Sequence, residues 1–271
     1  MSSIFRDTLN NNIHILKTME ITPNKKNNKQ PLAVAAYNKI FQKIISLEYQ
    51  PGQSLEENQL VEHLGIGRTP VREALLRLAG EKMVESQPQK GVIVRPITLQ
   101  NTKATFEAMT ILELGVASLA VRQDPTRFLT QMTAANEEVK SAVKTMDVLS
   151  LVKTNHVFHM HFAQCSYNEY LIRAVTEIRS EAKRLSYLSY ANEIDPDRSL
   201  QIHYQSVITE HEKIITYLRK RDEAGLKETI DEHIRTFKQR IILYMTSRVL
   251  DEGGRLTLIL KPIIIRRRKA L

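Results

Sequence analysis

The chain of 271 residues carries 39 Lys and Arg against 30 Asp and Glu, a formal charge of +9, with 42% hydrophobic and 25% charged residues. That composition fits one large globular domain or two modest ones and excludes wholesale disorder. The single cysteine, Cys165, excludes an internal disulfide and a multi-cysteine zinc module. The positive charge is unevenly placed. Residues 1–31 hold five basic and two acidic side chains, 255–271 hold six basic and no acidic ones, and the stretch between them is neutral. The excess therefore lies at the ends, read as a flexible basic extension (1–31) and a basic tail (251–271). No apolar run of about 18 residues occurs, so no membrane partner is expected. Nothing at the N-terminus reads as a secretory signal, and a cytoplasmic location is expected.

In chain order, the first folded unit spans 32–97. Ile40, Phe41, Ile44 and Leu47 recur at helical spacing, and Pro51-Gly52 closes that helix with a turn. Glu56 to Leu64 reads as a short second helix. Gly65-Ile66-Gly67 is a tight connection. A third helix follows, with Thr69 expected as its N-cap and Pro70 at its first position. Val71, Leu75 and Leu78 make its buried face, while Arg68 and Arg72 stand near its start and Arg77 further along. Met83–Gln87 and Gly91–Arg95 read as two strands joined at Pro88-Gln89-Lys90-Gly91.

A short helix, a glycine turn and a helix with arginines at its start form the helix-turn-helix plan. Such a helix must present long donors to the major groove, and the planar fork of Arg suits guanine O6 and N7 or a phosphate. The hairpin behind it reads as a wing. The same pattern also suits a plain three-helix unit with solvated arginines.

The residues Pro51-Gly52, Leu55-Glu56-Glu57, Leu60-Val61 and Leu64 through Leu75, with Leu78, Val84, Gly91 and Val94, resemble the winged-helix domain of GntR-family transcriptional regulators. The resemblance implies contacts to double-stranded DNA from Arg68, Thr69, Arg72 and the wing residues Lys90 and Gly91, with Arg77 kept as a further candidate. Gly67 stands where that family usually has Ser.

The second unit, 98–250, shows long helical periodicity without strand-like alternation, so an antiparallel helical bundle is expected. Six helices are read: Ala104–Val121, Phe128–Met146, Val148–Ser166, Glu169–Tyr190, Ser199–Arg219 and Ala224–Arg248. In the first, Ile111, Leu112, Leu114, Val116 and Leu119 are expected to be mostly core. The fold class is thus mainly α: a winged helix-turn-helix followed by an all-α bundle.

His159, His211 and His233 lie on apolar stripes of three different helices, and Asn155 stands one turn before His159. A buried imidazole is costly unless paired. Three together point either to satisfied core histidines or to one shared divalent ion, zinc or another first-row metal, with Asn155 adding an oxygen. His14, His63 and His203 are read as surface residues.

Asn155-His156-Val157-Phe158-His159, Ala163, Asn168, Glu210-His211 and His233 resemble the FadR-like, FCD-type ligand domain of many GntR regulators. That resemblance implies a homodimer, a carboxylate effector and a metal site. Asn155 replaces the usual aspartate, and Met109 replaces an arginine that often helps to hold the effector, four residues before Glu113. The expectation is a ligand-responsive DNA-binding regulator and not an enzyme. Two other functions compete with it. One is a DNA-binding dimer whose helical domain is purely structural. The other is a metal-dependent enzyme, disfavoured because no general acid or base stands beside the histidines.

Overall fold

Leu32–Ile45 forms helix α1 and buries Ala36, Tyr37, Ile40, Ile44 and Ile45 along one side. It stops short of Leu47, which the sequence reading included. Leu47 takes φ 60°, so the chain turns there while its side chain stays buried. The computed structural model describes residues 31–88, 91–195 and 197–251. Lys90, the first 30 residues and the basic tail from 252 onward lie outside the described residues.

Helix α2 (Glu57–Leu64) ends on Gly65, whose φ of 64° places it in the left-handed region, a conformation that costs glycine little. Helix α3 (Arg68–Gly80) begins one residue before the expected cap. Gly67 is the N-cap, extended and without a side-chain capping bond, so Thr69 is the second helical residue and not the cap. Val71 N–H already donates to the Gly67 carbonyl at 3.3 Å. Pro70 still falls in the first turn, where an amide has no intrahelical partner to lose. Strands β1 (Val84–Gln87) and β2 (Gly91–Val94) pair antiparallel, with Val84 opposite Val94 and Gln87 opposite Gly91.

The bundle follows as α4 (Leu99–Ala120), α5 (Thr126–Thr145), α6 (Val148–Gln164), α7 (Glu169–Glu181), α8 (Lys183–Ala191), α9 (Leu200–Lys220) and α10 (Glu223–Asp251). Side-chain caps start four of them. Thr98 accepts from Asn101 N–H, Asp147 from Ser150 N–H, Asn168 from Tyr170 and Leu171 N–H, and Ser199 from Ile202 N–H. The core holds Phe106, Phe158, Phe162, Met109, Met132 and Leu188, all fully buried. Side chains of this size each contribute about 2 kcal/mol of transfer free energy.

Two expectations fail in the bundle. The expected helix Glu169–Tyr190 is two helices, divided at Ala182. Neither Gly nor Pro marks the division. It falls where Arg179 is drawn to Glu113 and Arg184 to the Arg95 carbonyl. Ile111, expected in the core, is 72% exposed on α4, because its neighbours Glu113 and Met109 take the inward positions.

The two units are packed together. One apolar cluster runs from Tyr37, Ile40 and Ile44 of α1 to Leu151, Val152, Tyr190, Tyr204 and Val207 of the bundle. Arg95 pairs with Glu181 at 2.8 Å, and Lys82 pairs with Glu177 and, at 3.4 Å, with Glu181. The α7–α8 junction is thus a shoulder on which the winged unit rests. Among the described residues no helix is long and apolar enough to cross a membrane.

Candidate functional site

The exposed face of α3 carries Thr69, Arg72, Glu73 and Leu76, opposite Val71, Leu75 and Leu78. Arg68 Nη2 donates to Asn58 Oδ1 at 2.6 Å, and Arg72 Nε donates to Glu57 Oε2 at 2.7 Å. Both contacts fasten α3 to α2, while 59% of the Arg72 side chain stays exposed. Gly91 opens β2 with φ 68°, a turn geometry that a side chain would strain. Arg77 is engaged otherwise. Its guanidinium lies 3.8 Å from the Tyr37 ring centroid and its Nε donates to Glu81 at 3.1 Å. Leu76, 74% exposed, was not singled out in the sequence. An apolar residue off the Val71–Leu75–Leu78 face was the available signal.

The second site lies inside the bundle. His159 on α6, His211 on α9 and His233 on α10 are all buried, and each brings one ligand atom within 4.8 Å of the others. Their ring tautomers follow from their neighbours. Asn136 donates through Nδ2 to the Ile208 carbonyl, so its Oδ1 faces His211 Nδ1 at 2.9 Å and requires a proton there. Glu210 Oε2 accepts from His233 Nδ1 at 2.6 Å. In both rings Nε2 is left as a lone pair. His233 Nε2 and His159 Nε2 stand 3.2 Å apart, so either His159 carries its proton on Nε2 and donates it to His233, or a cation lies between the two lone pairs.

Around the cluster, His211 Nε2, His159 Nδ1 and Asn155 Oδ1 are buried without a hydrogen-bond partner among the described residues. Orphaned polar atoms of this kind are rare. Three imidazole nitrogens with carboxylate or amide support behind two of the rings suit a divalent first-row ion, and Asn155, one turn before His159 on α6, is a candidate for a further oxygen ligand. Burial first, then the Arg179 charge, push His159 down to about 3 against the pull of Glu113. Burial first, then His159 and His233, hold His211 well below its ordinary value. Both rings are therefore neutral at pH 7, the form that ligates metal.

Glu113 borders this cluster, with its Oε2 3.6 Å from His159 Nδ1. Arg179 grips it with two parallel bonds, through Nε and, at 2.6 Å, through Nη2. Burial alone would raise the Glu113 carboxyl; Arg179 and His159 outweigh it and hold the group well below the usual carboxylate range.

Two family models match the chain. Residues 32–94 match the bacterial regulatory proteins of the gntR family, and residues 104–236 match the FCD domain. The chain belongs to the GntR family. It is a DNA-binding transcriptional regulator with an FCD effector-binding domain. Among its relatives is the HTH-type transcriptional repressor RspR of Escherichia coli K12, 20% identical over 79% of this chain and 91% of that protein. Another is the gluconate operon transcriptional repressor of Bacillus licheniformis, 19% identical over 78% of this chain and 86% of that protein. The solved structure of E. coli McbR/YncC shares the fold, with a TM-score of 0.64 and 20% identity, covering 80% of this chain and 99% of that one.

In this GntR-family chain Met109 is fully buried on α4, one turn before Glu113, and brings no charge. The cation nearest Glu113 comes from α7 as Arg179, which the sequence reading missed. In the sequence it is one arginine among several on an amphipathic helix. His203 corrects an expectation. It is 3% exposed, with Nε2 3.1 Å from Ser189 Oγ, and not a surface residue. Its place eight residues before His211, on the same stripe through Val207, was the signal that could have found it.

Proposed function

We propose that this GntR regulator senses a small organic acid through a divalent metal held by Asn155, His159, His211 and His233. The tautomers imposed on His211 by Asn136 and on His233 by Glu210 carry this reading, because they turn Nε2 lone pairs toward a common point. When bound, the ion supplies positive charge and an open position for a carboxylate. Asn155 offers oxygen without negative charge, so metal affinity is lower than an aspartate would give.

The acid acts on DNA through α7. Arg179 leaves the cluster toward Glu113, and two residues later Glu181 holds Arg95 and Lys82 of the winged unit. A ligand that shifts Arg179 shifts the support of the DNA-binding head, and the two head positions must differ in ligand affinity for a signal to pass.

The proposed DNA contacts are Arg68, Thr69 and Arg72 on α3, Gly91 at the start of β2, and Lys90, which precedes Gly91 in the sequence. Arg77 enters as a support of α3, since Tyr37 and Glu81 hold it. A homodimer would match a two-fold operator. The exposed apolar residues Ile111 on α4 and Tyr170 on α7, joined through Gly115 against Leu171, favour that face as the dimer surface.

Metal analysis of the purified chain, with thermal shifts against a panel of carboxylic acids, tests the reading. Bound metal and a raised Tm with at least one acid are expected, because a ligand of the folded state stabilises it. Neither metal nor shift overturns it and leaves the bundle a structural domain.

A further inference from the structure

Two helical turns from the histidine cluster lies a second polar group in the same bundle. Arg240 on α10 is 2% exposed and His203 on α9 is 3% exposed. They share Ser189 of α8. Arg240 Nε donates to Ser189 Oγ at 3.3 Å, and its Nη2 donates to the carbonyls of Ser189 and Asn192 at 3.1 and 3.2 Å. The Nη2 bonds close the end of α8. They leave Nη1 buried and without a partner.

Ser189 Oγ accepts from Arg240, so its own O–H is free to donate to His203 Nε2. His203 then carries its proton on Nδ1, and that atom too is buried without a partner. Two orphaned donors, one on a guanidinium, therefore stand in one buried group. Among the described residues no carboxylate lies within ion-pair distance of Arg240. Asp195 and Glu193 act on it only through space. A buried guanidinium with a spare donor and no carboxylate in direct contact is costly unless an acceptor completes it.

Position ties this group to the sensing site. Helices α9 and α10 are joined by a short turn after Lys220 and pack antiparallel. His203 precedes His211 by eight residues and Arg240 follows His233 by seven, so both lie on the same side of the cluster, about 11 Å along the helix axes.

We propose that Arg240 and His203 form an anion subsite for the far end of the effector, making it a dianionic molecule such as a dicarboxylic acid. One acid group would sit at the histidine cluster and the other would accept from Arg240 Nη1 and His203 Nδ1. The inference rests on the proposed acid-sensing role and adds the second charge.

Calorimetric titration of the full zinc-loaded chain with straight-chain diacids from malonate to adipate, each beside its matched monoacid, decides the matter. One diacid length should bind about tenfold tighter than its monoacid, the scale of one charge-assisted bond. In Arg240→Met the diacid-to-monoacid ratio should fall to about one. If Arg240→Met does not fold, as judged by circular dichroism, His203→Phe serves for the same ratio. Monoacid binding with no diacid gain, or a gain that survives both substitutions, overturns the subsite alone. No binding by any acid overturns the sensing role as well.

Discussion

Arg95 Nη1 and Glu181 Oε2 meet at 2.8 Å across the junction of the winged unit and the bundle. Glu181 stands two residues beyond Arg179, the partner of Glu113 at the histidine cluster. The cluster and the DNA-binding head are thus linked through less than one turn of α7.

Glu181→Gln is expected to weaken that link. The pair is partly exposed, so the stability cost is small, about 0.5–1 kcal/mol. The larger effect is on communication: the change in operator affinity caused by metal and acid should shrink. Fluorescence anisotropy on operator DNA, with and without both, measures it. A change as large as in the wild type would show that the signal takes another route.

Asn155→Asp should tighten metal binding by about tenfold or more, the scale on which groups supporting a metal site act. A carboxylate adds the negative charge that the amide lacks. His211→Ala should remove a ligand and lower affinity. Competition with a chromophoric chelator reads both. Equal affinities for all three proteins would take Asn155 and His211 out of the metal shell.

Arg72→Ala should weaken operator binding by about 1–3 kcal/mol if the side chain reads a base. A phosphate contact would instead weaken all sequences alike and flatten the salt dependence. The operator can be selected from random DNA with the wild-type chain. Unchanged affinity in a gel shift would remove Arg72 from the interface.

His203 faces Arg240 on α10, Arg198 before α9, and Ser189 and Tyr190 on α8. Burial first, then the charges of Arg240 and Arg198, hold its pKa far below the ordinary value. Its folded pKa is depressed, so the unfolded chain binds the extra proton as pH falls through about 6.5. The metal-free protein should therefore lose stability steadily below that pH. His203→Gln should show a shallower loss between about pH 6.5 and 4.5 in urea unfolding. Identical slopes would mean that His203 does not stay neutral in the fold.

Local signals made the DNA-binding half legible. Gly65, the arginines at the start of α3 and the Val71–Leu75–Leu78 stripe are short-range features. The errors there were at boundaries: the first helix stops short of Leu47, and the cap of α3 is the extended Gly67 and not Thr69. The histidine cluster was legible from three stripes at helical spacing. Its supports were less so. Asn136 sits 75 residues from His211 and Arg179 sits 66 from Glu113, and no local pattern pairs such residues. The division at Ala182 left no trace, since Ala is a good helix former and the cause lies in contacts to other elements. Ile111 was misread because α4 carries apolar residues on two faces, one of them outward.

Operator affinity measured with the zinc-loaded chain, across a panel of mono- and dicarboxylic acids, tests the central claim most directly. At least one acid should change the Kd for operator DNA by about fivefold or more, the range of allosteric coupling. An affinity that stays the same with every acid, while zinc remains bound, would contradict it.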